Sequence, residues 1–322
     1  TTEIYTLSLH DALPISATVG VSYIPLPSKD LSEDLTMGFS IPRRWLQTIS
    51  IAIVACVFSL VVVACTGGGS SPSVTAQDEA ATVSSLDQII ESGTIKIAVP
   101  QDFAPFGSVD SSGNLEGYDI DVANLIAEDL GVNLELVPVT SDNRIPFLQT
   151  NKVDLVISSM GANPERAKSI FFSIPYAPFF SGLYGSSDIS DVGGFGDLGS
   201  YKVGVTQGTL EDLELTDAVD ENVQIERFAD NSLTASSLIS GQVDLIATGN
   251  VVAAELSKNN PDKNIEGKFI IKESPAHIGL RRGEVDLLQW VNTFVYHKRL
   301  GGELDDFSKK WLGEPLPPLP AF

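Results

Sequence analysis

The chain has 322 residues, 43% hydrophobic and 19% charged, with 20 Lys+Arg against 42 Asp+Glu and a formal net charge of -22. That apolar content suffices for one large or two medium domains and, with 15 Phe, 7 Tyr and 3 Trp, excludes a disordered acidic chain, which lacks the residues that build a core. A surface this acidic repels phosphate backbones and anionic membranes, so nucleic acid is excluded as a partner.

Residues 1–16 read as translated sequencing-adapter sequence, and 17–36 show no sustained periodicity. Segment 1–36 is therefore expected to be non-native or untranslated-region sequence outside the fold. Met37 opens an ordered set of signals: Arg43 and Arg44, an apolar run over 49–64 ending Val62-Val63-Ala64, then Cys65 and a Gly/Ser stretch. The arginines stay on the cytoplasmic side while the apolar run enters the bilayer, and small residues before the cysteine give a peptidase access to the bond. Residues 37–64 thus read as a lipoprotein signal peptide, with Cys65 lipidated and anchoring the protein to the membrane. Length alone also permits a plain transmembrane anchor of about 20 residues. Residues 65–85, rich in Gly, Ser, Thr and Ala, read as a flexible tether. From Cys65 onward the chain still holds 17 Lys+Arg against 37 Asp+Glu, so the acidity belongs to the folded part.

Beyond the tether, apolar strand patterns lie at 95–99, 134–139, 202–205, 224–228 and 269–271, with amphipathic helix patterns at 120–130, 233–240 and 251–258. LQTNKVDLVISSM (148–160) and LISGQVDLIATGN (238–250) repeat Leu, Val, Asp and Leu in register, each as a helix end, a turn and a buried strand. Repeated helix-turn-strand units point to two similar α/β lobes. Ligands of open α/β sheets sit beyond the carboxyl ends of the strands. There the repeats deliver Ser158, Ser159 and Gly161 from one lobe and Thr248, Gly249 and Asn250 from the other. Ser and Gly also end strands where no ligand binds. Both cysteines, Cys56 and Cys65, precede this region, and His10, His277 and His297 lack paired spacing, so no disulfide, metal or cofactor is expected.

Five pieces in order, TIKIAVPQDFAPFG (94–107), GNLEGYDIDVANLIAEDLGV (113–132), NPERAKSIFFSIPY (163–176), YKVGVTQGT (201–209) and KKWLG (309–313), resemble the family-3 solute-binding proteins of bacterial amino-acid ABC importers. The resemblance implies a two-lobed type II periplasmic-binding fold with two hinge crossovers. Lobe 1 would span 86–184, lobe 2 185–276, and 277–322 would return to lobe 1 and end in an extended tail, with crossings at 185–190 and 272–276. Closure of the lobes on a ligand would be a hinge motion.

The resemblance also implies site residues. Arg166 of the Pro-Glu-Arg motif would hold a ligand α-carboxylate with its guanidinium fork. Ser159 would add a backbone N–H or hydroxyl, and Phe103 would stack over the ligand, with Phe106 in the core. Ser141 and Arg144 match the segment that, in glutamate/aspartate-binding members, contacts a side-chain carboxylate; Arg144 is alternatively a structural arginine beneath the loop. Gly161 stands where those members carry Thr or Ser, and Pro100 where they carry a further Arg. From lobe 2, Thr209 would contact ligand, cap a helix, or both. The family's ammonium-binding Asp aligns with Gly249, leaving Asn250 as a neutral acceptor and Asp102 or Glu211 as acids that would compensate if the fold brings them in. His277 and the aromatics Phe171, Phe172, Tyr176, Phe179, Phe180 and Tyr184 are read as structural.

The function implied is a monomeric, non-catalytic, extracytoplasmic receptor. It would take a polar or acidic amino acid between its lobes and hand it to an ABC permease in the cytoplasmic membrane. The alternatives are a receptor for an organic acid lacking an α-ammonium and a dehydratase-type enzyme on the same fold.

Overall fold

The computed structural model describes residues 84–317. The segments read as signal peptide and tether, with Cys65, lie outside the described residues up to residue 83, as does the end of the C-terminal segment.

The first part of the chain runs α1 (Ser85–Ser92), β1 (Thr94–Val99), a small hairpin of β2 (Ser108–Val109) and β3 (Leu115–Glu116), α2 (Tyr118–Leu130), β4 (Asn133–Pro138), α3 (Arg144–Gln149), β5 (Leu155–Gly161), α4 (Pro164–Ala167) and β6 (Ile170–Ala177). The second part runs β7 (Phe180–Ser186), β8 (Lys202–Thr206), α5 (Leu210–Ala218), β9 (Gln224–Phe228), α6 (Asn231–Ser240), β10 (Leu245–Gly249), α7 (Asn250–Asn259) and β11 (Ile265–Glu273). The chain then returns through β12 (Ala276–Arg281), α8 (Val285–Gly301) and α9 (Glu303–Leu312).

Two five-stranded sheets result, ordered β4-β1-β5-β12-β6 and β11-β7-β10-β8-β9. In each, three neighbouring strands run parallel and the other two join antiparallel. The central strands β5 and β10 are buried along their whole length, as unbroken apolar runs covered on both faces require. They are the strands of the sequence repeat, so the doubled motif builds the middle of both lobes. The larger core packs α2, α8 and α9 around Ile97, Tyr118, Ile157, Val291 and Leu304. A smaller one around Leu183, Val203, Leu215 and Leu245 stabilises the second lobe. Leu316, at the start of the proline-rich tail, packs into the first core, and its N–H donates to Asp305 Oδ1 at 3.0 Å.

The first passage between sheets differs from the expected 185–190. Phe180–Ser186 already pairs with β10 and β11, so the chain crosses at Pro178 and Phe179, directly after β6. The low-charge run beginning at Gly185 is the end of a strand and its following turn. A buried strand inside one sheet has the same composition as one linking two lobes, so composition alone does not mark the boundary. The return passage is at Ser274 and Pro275, between β11 and β12.

Candidate functional site

Strand ends and helix starts of both lobes meet at the two passages around a narrow, partly open cleft. Its lining includes Phe103, Ser141, Arg144, Ser159, Gly161, Arg166 and Thr209, seven of the eight ligand-binding positions expected from sequence.

Arg166 lies on α4, a single turn that begins at Pro164 and is capped by Asn163, whose Oδ1 accepts from Arg166 N–H at 2.8 Å. The cap and the proline fix the turn, and the turn aims the guanidinium into the cleft. Arg166 Nη1 donates to Gly161 O and Nη2 to Gly208 O, each at 2.8 Å, the second bond crossing between lobes. Arg144 begins α3. Its Nε donates to Ser141 O and its Nη1 to Ser158 O, both at 2.9 Å, with a longer 3.5 Å approach of Nη2 to Gly208 O. Both arginines are more than nine-tenths buried, and neither is within ion-pairing distance of an acid among the described residues. Burial lowers the pKa of Arg166, and burial together with the Arg166 charge pulls Arg144 down to about 9; both remain cationic at neutral pH. Gly208 itself has φ 77°, and its α-carbon faces the Asp142 backbone so closely that a side chain there would hold the lobes apart.

Residues 95–314 match the family of bacterial extracellular solute-binding proteins, family 3. The chain belongs to that family. Among similar proteins, the L-cystine-binding protein TcyJ of Escherichia coli is 28% identical over 71% of this chain and 86% of its own. The glutamine-binding protein GlnH of Bacillus subtilis is 28% identical over 83% of this chain and 98% of its own. Among solved structures, an ancestral amino-acid-binding protein described as a precursor of cyclohexadienyl dehydratase superposes with TM-score 0.66 at 32% identity, covering 71% of this chain and 99% of that one.

In this family-3 solute-binding protein the remaining expected positions separate. Phe103 lies at the cavity, its ring stacked on the buried Phe106 at 5.9 Å and tilted 6.2 Å from Phe179. Thr209 caps α5: its hydroxyl accepts from Asp212 N–H at 3.2 Å and donates to Thr206 O at 2.8 Å, so its proton is committed to the backbone. Ser159 has its N–H taken as well, by Asp119 Oδ2 at 2.9 Å and Tyr176 Oη at 3.1 Å, which leaves only the hydroxyl for a ligand. Asn250 is the position the structure does not bring in. It opens α7, and its Oδ1 accepts the Phe180 N–H at 3.2 Å, pairing a backbone donor where the chain enters β7.

The structure adds residues the sequence reading had placed elsewhere or set aside. Phe179, read as packing, lines the cavity from the first passage. Asp102 reaches across to the start of α6, its Oδ2 accepting from Asn231 N–H at 2.7 Å and Nδ2 at 3.1 Å. Glu211 and Ser181 meet inside the cavity at 2.6 Å, and Ser274 lines it from the return passage. The sequence signal for Glu211 was its place two residues after the Thr209 cap, in the first turn of a helix facing the cleft. His277 pairs with Ser173 O at 2.7 Å and packs edge-on against Phe172.

Asp119, on α2, was singled out by no sequence argument. It is fully buried beneath the end of β5, where its Oδ1 accepts from Tyr176 Oη at 2.5 Å and its Oδ2 from Ser159 N–H. Ser159 has φ 39°, in the left-handed region a side chain rarely adopts, and these bonds hold it there. Burial pushes the Asp119 carboxyl up to about 7 against the lowering effect of the two hydrogen bonds. A carboxyl raised this way binds its proton more tightly in the folded state. Its contribution to stability is therefore full below about pH 4 and is lost as pH rises through 7. Asp119→Asn is expected to remove that loss: in thermal melts from pH 5 to pH 8, the melting temperature of wild type should fall relative to that of the variant. Parallel curves would show that the carboxyl does not titrate in this range.

Proposed function

We propose that this protein is the non-catalytic receptor of an ABC importer, taking a small carboxylate-bearing solute into the cleft and delivering it to a permease in the cytoplasmic membrane. An amino acid with a polar or acidic side chain is the favoured substrate. The observation that carries this reading is the pair Arg144 and Arg166: two buried guanidiniums, bonded only to main-chain carbonyls among the described residues, opening on one cavity. A buried cation without an anionic partner is costly, and a ligand carboxylate supplies the partner. The names of the relatives, cystine-binding and glutamine-binding, support the same class. In this reading Arg166 and the Ser159 hydroxyl grip the α-carboxylate, Arg144 and Ser141 address a second polar end, and Phe103 with Phe179 covers the apolar side. Phe103, Ser141, Arg144, Ser159, Gly161, Arg166 and Thr209 then form the binding surface. Asn250 supports it from outside.

The same reading places the protein outside the cytoplasmic membrane, held by a lipid on Cys65. Among the described residues no helix is long and apolar enough to cross a membrane. The net charge of -22 repels anions at long range. Beyond about 8 Å salt screens that repulsion, and inside the cleft the two arginines dominate.

Native mass spectrometry of the purified protein for a retained ligand, followed by calorimetry with the twenty L-amino acids and L-cystine, tests the proposal. Saturable binding of an amino acid is expected. A protein that binds no amino acid but does bind a hydroxy or keto acid would favour the organic-acid receptor, a reading supported by the absence of any side chain at Gly249. Conversion of the bound compound would show an enzyme.

A further inference from the structure

Deepening the carboxylate-receptor reading, on which it rests, the structure assigns the α-ammonium subsite to Glu211, held by Ser181 and completed by the hydroxyl of Ser274. Position 249 cannot serve. A β-carbon built on Gly249 would overlap the Phe179 ring, and that ring is backed by Phe106 at 5.8 Å and Phe103 at 6.2 Å, so it has little room to retreat. No carboxylate fits at that strand end while Phe179 lines the cavity.

A carboxylate reaches the adjoining place by another route. In the ladder between β10 and β7, Gly249 pairs with Ser181. The Ser181 hydroxyl donates to Glu211 Oε1 at 2.6 Å, which anchors the Glu211 carboxylate beside the empty strand end. Glu211 is buried at 6% exposure and lines the cavity, and its Oε2 makes no hydrogen bond among the described residues. It is close enough to both cleft arginines to act on their charge. The cleft therefore presents cations on one side and a carboxylate on another, the complement of a zwitterion.

A second, independent feature points at the same ligand group. Ser274 Oγ is fully buried, lines the cavity and has no hydrogen-bond partner among the described residues, an expensive state for a hydroxyl unless a ligand supplies the partner. Its backbone N–H bonds Phe179 O at 3.0 Å, which ties the two passages together next to Ser181. An ammonium has three donors. Glu211 and Ser274 provide acceptors for it. The other cleft acid, Asp102, has its Oδ2 occupied by two bonds from Asn231.

The test is calorimetry on the full chain with the twenty L-amino acids and L-cystine, then with the 2-hydroxy acid matching the tightest of them, in which a hydroxyl replaces the ammonium. Wild type should prefer the amino acid. Glu211→Gln should weaken it by about 30-fold or more, the scale of losing one partner of a buried charge pair, and change the hydroxy acid by less than about threefold. Ser274→Ala should weaken the amino acid selectively and to a smaller extent. Asp102→Asn, which disturbs the bridge between lobes, should weaken both compounds alike. The assignment is overturned if Glu211→Gln weakens both compounds equally, or weakens neither while Arg166→Ala abolishes binding; in those cases the carboxylate reading stands. If wild type binds neither amino acids nor hydroxy acids, both readings fall.

Discussion

Arg166→Ala should reduce ligand affinity by about 30-fold to several thousand-fold, the loss expected when one partner of a buried, hydrogen-bonded charge pair is removed. Two effects combine. The ligand carboxylate loses its guanidinium fork, and the lobes lose the 2.8 Å bond from Arg166 Nη2 to Gly208 O that spans the cleft. Arg166→Lys should recover little, because an ammonium cannot reach Gly161 O and Gly208 O and still face a carboxylate with two parallel donors. Calorimetry gives the affinity and a thermal melt checks the fold. The melting temperature should fall modestly while unfolding stays cooperative, since Gly161 O and Gly208 O lose their donor. Unchanged affinity in a folded Arg166→Ala protein would remove the basis of the proposed function.

Gly249→Asp is expected to destabilise the second lobe by about 1–3 kcal/mol, the usual cost of forcing atoms into a filled core, or roughly 2–12 °C in melting temperature. The new β-carbon meets the edge of Phe179, which is wedged against Phe103 and Phe106. Phe179→Ala alone should also cost stability by leaving a gap. The double variant should be more stable than the sum of the two, since the alanine frees the space the aspartate needs. Strict additivity would show that Phe179 and position 249 do not compete. The expected coupling also explains why a carboxylate at this strand end and an aromatic at the first passage exclude each other.

Much of the fold could be read along the chain because it is written in local periods. Asn133–Pro138 opens with the alternation of a strand, and Tyr118–Leu130 buries one helical face. The duplicated segments at 148–160 and 238–250 announced two similar lobes, and the sheets show them as β5 and β10. The passage between lobes was not legible. The run from Phe180 to Ser186 is apolar and small whether it ends one lobe or begins the next, and only its pairing with Gly249 and its neighbours decides.

The candidate site divides in the same way. Arg166 and Thr209 stand in motifs whose local geometry, a capped turn or a helix cap, is set within a few residues of sequence. Ser274, Asp119 and Phe179 carry no such mark, because each acquires its meaning from a partner far away: an unfilled cavity, Ser159 and Gly249. By itself the sequence determined the two-lobed α/β architecture and the family and pointed to Arg166, since periodicity, caps and motifs are short-range. Only the tertiary structure decided where the chain crosses between lobes, why position 249 is bare, and which acids line the cleft. Those answers depend on which atoms compete for the same space and on which buried polar groups find partners, and both are set when distant segments pack together.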